Sequence, residues 1–222
     1  MGLLAALYAY QGRTQSPEDL ARQACEIEIE RLSSPIGKQD QYAAAYGGLR
    51  YLRFNPDGSV DVEPVSSTED TLGGLADRML LFYTGGTRSA NALLEEQARE
   101  TPDKLDALRR MRDIAGELRD ALTSAPEPRF EIFGERLHEG WELKRSLTGS
   151  ISNPLVDDWY AKGRSAGAYG GKLLGAGGGG FLLLFAEEDR HGAIREALGH
   201  PKEMSVRVDL GGSRIVFSGA RR

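Results

Sequence analysis

The 222-residue chain is 40% hydrophobic and 27% charged, the composition of an ordinary water-soluble protein with one large domain or two small ones. Its formal net charge of −5 argues against a general nucleic-acid binder, and no apolar run reaches the roughly 20 residues that span a membrane. The N-terminus lacks the basic segment of a signal peptide, and the single cysteine, Cys25, suits the reducing cytosol. We therefore expect a cytoplasmic protein without a nucleic-acid or membrane partner.

The first part of the chain is predicted to be helical and then to form a hairpin. Helices are predicted over residues 2–11, 16–31 and 39–46. The second of these has the clearest start, Ser16-Pro17, because serine caps helices and proline suits their first turn. Two strand-like segments follow, 49–54 and 59–65, joined by the turn sequence Asn55-Pro-Asp-Gly58.

The remainder mixes helical periodicities with apolar runs and lacks the strict alternation of βα units. Strands are predicted over residues 79–83, 180–186, 204–208 and 213–217. Helices are predicted over residues 88–99, 103–123, 129–146, 154–168 and 187–198. Hairpins combined with unevenly placed helices are typical of an α+β fold. The tryptophans Trp141 and Trp159 are expected in the core, and the three histidines, which lack metal-ligand spacing, at the surface.

One candidate site is the glycine-rich stretch Gly170-Gly-Lys-Leu-Leu-Gly-Ala-Gly-Gly-Gly-Gly-Phe181. Glycines let a ligand approach the backbone, and successive N–H groups in such a loop can bind a phosphate. It is not a Walker A loop, because no Gly-Lys-Ser/Thr follows the glycines. The alternative is a tight turn between a helix and a strand.

A second candidate is Asp40, which follows a glycine loop at a predicted helix start. Lys38 stands two residues earlier and could keep the carboxylate ionised, so that it takes a proton from a substrate hydroxyl. The alternative is an ordinary aspartate that stabilises the positive end of the helix.

Two further segments carry suitable side chains. The alternating acids of Glu26-Ile-Glu-Ile-Glu30 could supply a magnesium ligand, although such a run is usually a solvated helix face. The segment Thr84-Gly-Gly-Thr-Arg-Ser89 follows a predicted strand and could clamp an oxyanion, since arginine suits phosphate. The alternative there is a helix start capped by Thr87 or Ser89.

These residues also carry a family resemblance. The stretch from Gly171 to Phe181 resembles the third conserved motif of GHMP kinases, which include galactokinase and mevalonate kinase. The segment from Gly37 to Gly48 is similar to the one that holds that family's catalytic aspartate. Both segments look most like the corresponding sequences of the bacterial D-glycero-D-manno-heptose 7-phosphate kinases, as do Trp141-Glu-Leu-Lys144 and Ile151-Ser-Asn-Pro154.

The resemblance implies transfer of the γ-phosphoryl group of ATP to the anomeric hydroxyl of a sugar phosphate, with Mg²⁺. Asp40 then matches the catalytic base, assisted by Lys38, and Glu30 matches the magnesium ligand. The other implied positions bind phosphate or substrate: Gly175, Ala176, Gly177, Gly178 and Gly179 for the nucleotide, and Gly37, Thr87, Arg88 and Lys172 for the substrate.

The resemblance further implies two domains. Residues 1–66 are expected to be the remnant of an N-terminal domain like ribosomal protein S5, and residues 67–222 a ferredoxin-like C-terminal domain with helical insertions. The family's first motif and its Pro-x-x-x-Gly-Leu-Gly-Ser-Ser loop for ATP are missing, so we expect the chain to start just downstream of that loop. The alternatives are a non-catalytic fragment or sugar-phosphate binding module, or a kinase for another sugar such as fucose. The surface left by the missing N-terminal part is expected to favour association, for example as a homodimer.

Overall fold

The computed structural model describes residues 1–65, 68–85, 90–124 and 126–216. Within these ranges the chain forms two compact units. The first consists of residues 1–64 together with the residues from 208 onward, and the second of residues 65–207. Among the helices of the described ranges, none combines the length and apolar character needed to cross a membrane.

The first unit packs three helices beside a two-stranded hairpin. Its elements are α1 (Gly2–Tyr10), α2 (Pro17–Cys25) with a π-helical turn (Glu26–Arg31), α3 (Gln39–Tyr46), β1 (Arg50–Phe54) and β2 (Val60–Pro64). The Ser16 hydroxyl accepts from the Asp19 amide, which confirms the predicted start of α2. The antiparallel pairing of β1 with β2 confirms the predicted hairpin.

The core of the first unit lies between α2 and α3. Ala21 and Cys25 of α2 are buried against Tyr42 and Ala45 of α3. The hydroxyl of Tyr42 donates to Glu18 at 3.0 Å, and burial raises the pKa of that phenol well above its usual range. These contacts fix the first turn of α3, where Asp40 lies, on α2.

The segment 208–216 packs on α3. The Gly48 amide donates to the carbonyl oxygen of Asp209 at 2.6 Å, and the Ser213 hydroxyl donates to that of Ala44 at 2.9 Å. The expected division at residues 66 and 67 put this segment in the second domain. In the structure it belongs to the first unit, because its polar groups bond to the end of α3.

The second unit is a sheet covered by helices. Its elements are α4 (Glu69–Asp77), β3 (Met79–Gly85), α5 (Ala90–Glu100), α6 (Leu105–Thr123), α7 (Phe130–Arg145), α8 (Pro154–Ser165), β4 (Gly170–Leu173), β5 (Gly180–Phe185), α9 (His191–Leu198) and β6 (Glu203–Met204). Short 3₁₀ turns precede α6 and α9. The strand order is β4-β5-β3-β6, with every pair antiparallel.

This order and connectivity are those of a ferredoxin-like sheet, with α5 to α8 lying in the connection between β3 and β4. The predicted α+β class and the helical insertions are therefore confirmed. Strand β5 is central and fully apolar, and its Leu182, Leu184 and Phe185 are completely buried. Trp141 of α7 lies in the same core, as predicted, and Trp159 packs at its edge.

Strand β4 passes unusually close to α7. A methyl group added at Gly170 would lie 2.0 Å from the carbonyl oxygen of Gly134 and 2.8 Å from the amide nitrogen of His138. No side chain fits at this crossing, so glycine is required to bring the helix and strand together. The close approach matters for the site because α7 carries Lys144 and β4 carries Lys172.

Several sequence predictions were wrong. Residues 170–173 form a strand and 69–77 a helix, and neither was predicted. Of the predicted strand 204–208 only Met204 pairs, together with Glu203 before it. Of the predicted strand 213–217, residues 213–216 form no strand, and residue 217 lies outside the described residues. The expectation of surface histidines fails for His191, which is buried with its ring against the carbonyl oxygen of Ala186.

Candidate functional site

The glycine-rich stretch forms the loop from β4 to β5, and the segment before α8 braces it. The Gly178 amide donates to the carbonyl oxygen of Ile151 at 2.9 Å, and the Gly178 carbonyl accepts from the Asn153 side chain at 3.2 Å. The oxygen of that side chain, Oδ1, accepts from the amides of Leu155 and Val156 at the start of α8. The loop is thus held by a helix cap and is more constrained than a simple hairpin tip.

Gly177 shows why this loop needs glycine. Its φ is +132°, which L-residues rarely adopt. An added methyl group would meet the Leu93 side chain at 2.8 Å and the Ile151 carbonyl oxygen at 2.9 Å. Ile151 is completely buried and Leu93 nearly so, so neither contact can be relieved cheaply.

Four N–H groups of the loop lack a partner in the described part of the chain. They belong to Gly175, Ala176, Gly177 and Gly179. Gly175 is exposed and the other three are partly accessible, so a ligand can reach them. Clustered free amides of this kind can bind an anion, and the phosphate role of the loop stays a prediction.

Two lysines accompany the loop. Lys172, predicted to contact substrate, lies in β4, where burial lowers its pKa. Lys144, at the end of α7, donates from Nζ to the carbonyl oxygen of Gly175 at 2.8 Å. Burial and the charge of Lys172 lower the pKa of Lys144 to about 8. Sequence reasoning assigned no role to Lys144, and its signal was only the family-like wording of residues 141–144.

In the first unit, Asp40 is exposed in the first turn of α3. The predicted partner Lys38 does not face it, because its Nζ donates to the carbonyl oxygen of Gly58 in the hairpin turn at 2.6 Å. Within the described ranges no ion pair joins Lys38 to Asp40. Lys38 therefore holds the loop before α3 against the hairpin, and the exposed Gly37 precedes it in that loop.

The acidic run lies in the π-helical turn after α2. Glu30, predicted as the metal ligand, is exposed and makes no hydrogen bond or ion pair to other described residues. Glu28 instead faces α3 and accepts a hydrogen bond from the buried Gln41 side chain. Glu26 pairs with Arg31. No cluster of three or more His, Cys, Asp or Glu residues suited to a metal occurs among the described residues.

The substrate-binding candidates Thr87 and Arg88 lie outside the described residues. Strand β3 precedes them, and its last residue, Gly85, pairs with Gly180, the first residue of β5 after the glycine loop. The hydroxyl of Thr84 donates to the carbonyl oxygen of Gly180 at 3.2 Å. A separate cavity of about 890 Å³, lined by Arg78, Phe130 and Tyr169 among others, contains no predicted site residue.

Comparison with known families gives one match. Residues 118–202, from α6 to just before β6, match the family described as GHMP kinases C terminal. This range contains both lysines and the whole glycine loop.

The names of individual relatives contain sugar or sugar-phosphate kinases. The chain is 28% identical over 211 residues to a D-glycero-alpha-D-manno-heptose 7-phosphate kinase of Campylobacter jejuni, covering 92% of this chain and 61% of that protein. It is 26% identical over 201 residues to a bifunctional fucokinase/GDP-fucose pyrophosphorylase of Arabidopsis thaliana, covering 87% of this chain and 19% of that protein.

Among solved structures, one similar chain is described as a D-glycero-D-manno-heptose 1-phosphate kinase from Bacteriodes thetaiotaomicron. The TM-score is 0.71 at 25% identity, covering 97% of this chain and 60% of that one. This chain therefore spans about three fifths of the length of the heptose phosphate kinases that it matches.

Proposed function

We propose that this chain, of which residues 118–202 match the family of GHMP kinase C-terminal domains, acts in ATP-dependent phosphorylation of a sugar phosphate. The observation that carries the proposal is the braced glycine loop, with four free amides beside two lysines that lack carboxylate partners in the described ranges. Backbone N–H groups and ammonium groups are the donors that phosphoryl transfer requires, since its catalysis is mostly positioning and charge neutralisation.

We further propose D-glycero-D-manno-heptose 7-phosphate as the acceptor and its anomeric hydroxyl as the nucleophile. Support comes from the two relatives whose names contain a heptose phosphate. Asp40 accepts the proton of that hydroxyl while its oxygen bonds to the γ-phosphorus of ATP. The bond from that phosphorus to the bridging oxygen breaks, and ADP leaves with the electron pair.

Asp40 suits this role because it is exposed at a helix start and forms no ion pair with other described residues. Magnesium would neutralise phosphate charge, and Glu30 can hold it, because Mg²⁺ commonly takes only one or two carboxylates and completes its shell with water and phosphates. Lys38 contributes by fixing the loop before Asp40 through its bond to Gly58. Arg88 and Thr87 remain proposed contacts to the acceptor.

The test is formation of ADP from MgATP and D-glycero-D-manno-heptose 7-phosphate, with the phosphorylated product identified by ³¹P NMR. Asp40→Asn should lower kcat by at least 100-fold, the lower range for a positioned general base. Asp61→Asn is the matched control, since Asp61 is an exposed carboxylate of β2 that, among the described residues, accepts only from Asn55. Turnover that is equal in Asp40→Asn and wild type rules out the mechanism.

A second candidate is a sugar-phosphate binding module. It rests on the same anion-binding donors, the free amides of the loop and the two lysines. It predicts binding of the sugar phosphate without ADP formation. The relative that includes a fucokinase also makes L-fucose a necessary member of the acceptor panel.

A further inference from the structure

Lys144 and Lys172 form a pair of like charges in a partly buried place. Lys144 lies in the last turn of α7 and Lys172 in β4, and after burial the charge of Lys172 is what lowers the pKa of Lys144. Both side chains are only partly accessible to solvent. Two partly desolvated ammonium groups repel one another, so the folded chain bears a cost that a bound anion would relieve.

Neither lysine has a carboxylate partner in the described part of the chain. This contrasts with Lys162, on the neighbouring helix α8, whose Nζ pairs with Asp158 at 2.7 Å. Lys144 uses one of its three donors on the Gly175 carbonyl oxygen, which leaves two. That bond also places its ammonium directly at the loop with the four free amides.

We propose that Lys144 and Lys172, together with the free amides of residues 175–179, form a subsite for a phosphoryl dianion. Two positive charges balance the roughly −2 charge of a phosphate monoester, and its oxygens accept from both ammonium groups and from several amides. Only the identity of the ligand rests on the proposed function. The dianion is either the ester phosphate of the acceptor or the terminal phosphate of ATP.

The first experiment measures binding without turnover. Inorganic phosphate is titrated into the chain at pH 7 by calorimetry, with wild type, Lys144→Met, Lys172→Met and the control Lys162→Met. We expect each of the first two variants to weaken phosphate binding roughly 10- to 100-fold, the usual loss for one charge-assisted hydrogen bond, and Lys162→Met to bind as wild type does. Thermal melts verify that each variant is folded.

Equal phosphate affinity in wild type, Lys144→Met and Lys172→Met overturns the subsite. So does an equal loss in Lys162→Met, which would indicate a general effect of charge. If one variant does not fold, the other decides alone, because each removes a different one of the two charges.

The second experiment identifies the source of the phosphate. In the ADP assay, Lys144→Met should raise the KM for the sugar phosphate if the subsite holds the acceptor, or the KM for ATP if it holds the nucleotide. Unchanged KM values for both, in an active enzyme, refute the subsite and leave the kinase proposal intact. Phosphate binding that depends on the lysines, without any ADP formation, supports the subsite and refutes the kinase proposal.

Discussion

Gly177→Ala tests the conformation of the glycine loop more sharply than any other single change. Two costs add at this position. An alanine at a φ of +132° is strained by about 1–3 kcal/mol, and its methyl group overlaps Ile151 and Leu93, which adds about 1–3 kcal/mol for overpacking. The free energy of unfolding should therefore fall by about 2–6 kcal/mol, or by less if the loop detaches locally from Ile151 and Leu93.

Gly175→Ala is the matched control in the same loop. Its φ of +81° is also left-handed, but nothing lies within 4 Å of an added methyl group. Only the strain of about 1–2 kcal/mol applies. At about 2–4 °C per kcal/mol for a chain of this size, Gly177→Ala should lower Tm by at least twice as much as Gly175→Ala.

The assay is thermal unfolding followed by circular dichroism, with phosphate titration on the folded variants. Gly177→Ala should also weaken phosphate binding, because it displaces the amides on either side of the braced Gly178. Equal Tm losses in the two variants would show that the contact with Ile151 and Leu93 does not constrain the loop. A Gly177→Ala protein as stable as wild type would refute the described loop conformation.

Three further results are expected. Gly170→Ala should destabilise the fold by about 3 kcal/mol, because the added methyl group overlaps α7. Gly192→Ala on α9 is the control and should be neutral or stabilising, because open space surrounds it. Calorimetric melts that show equal losses of stability in the two variants would contradict the packing of β4 on α7. Affinity for a phosphate monoester should fall as the pH rises through about 8, because Lys144 loses its proton there and the ester is already dianionic. Lys144→Arg should remove this pH dependence. A wild-type affinity that does not change with pH would argue against the role of Lys144. The unfolded chain holds the Lys144 proton up to about pH 10, whereas the folded chain loses it near pH 8, so this group makes the free energy of unfolding increase with pH between about 8 and 10. Lys144→Met should therefore raise Tm at pH 7 but not at pH 10. A lower Tm of this variant at pH 7 would contradict the reasoning.

Much of the fold could be predicted from local signals. The Ser16-Pro17 start of α2, the Asn55 to Gly58 turn and the apolar run of β5 all predicted elements that the structure contains. Strand β4 was missed because Gly170 and Gly171 have low strand propensity. Glycine is needed at these positions because β4 packs closely on α7 and on β5. Such packing is a tertiary property that the local sequence does not show.

The same limit applies to the site. Glycines and acids in family-like order pointed to the loop and to Asp40, but spacing could not show which groups a lysine meets. Lys38 was expected to support Asp40 and bonds to Gly58, while Lys144 contacts Gly175, which is 31 residues further along the chain. Such pairings depend on how α7 crosses β4 and on how the hairpin folds back. Neither leaves a periodic signal in the sequence.

The strand order has a consequence for how the chain folds. Strands β4 and β5 form a local hairpin, but β3 pairs with β5 across about a hundred residues, because the inserted helices lie between them. Closing a loop of that length costs about 4 kcal/mol of chain entropy before the pairing is formed. During synthesis the apolar strand β3 therefore leaves the ribosome long before its partner and stays without it until β5 emerges. The inserted region between β3 and β4 carries Lys144 and Ile151, which support the glycine loop. The same insertion prolongs the time during which the apolar strand β3 is exposed without its partner.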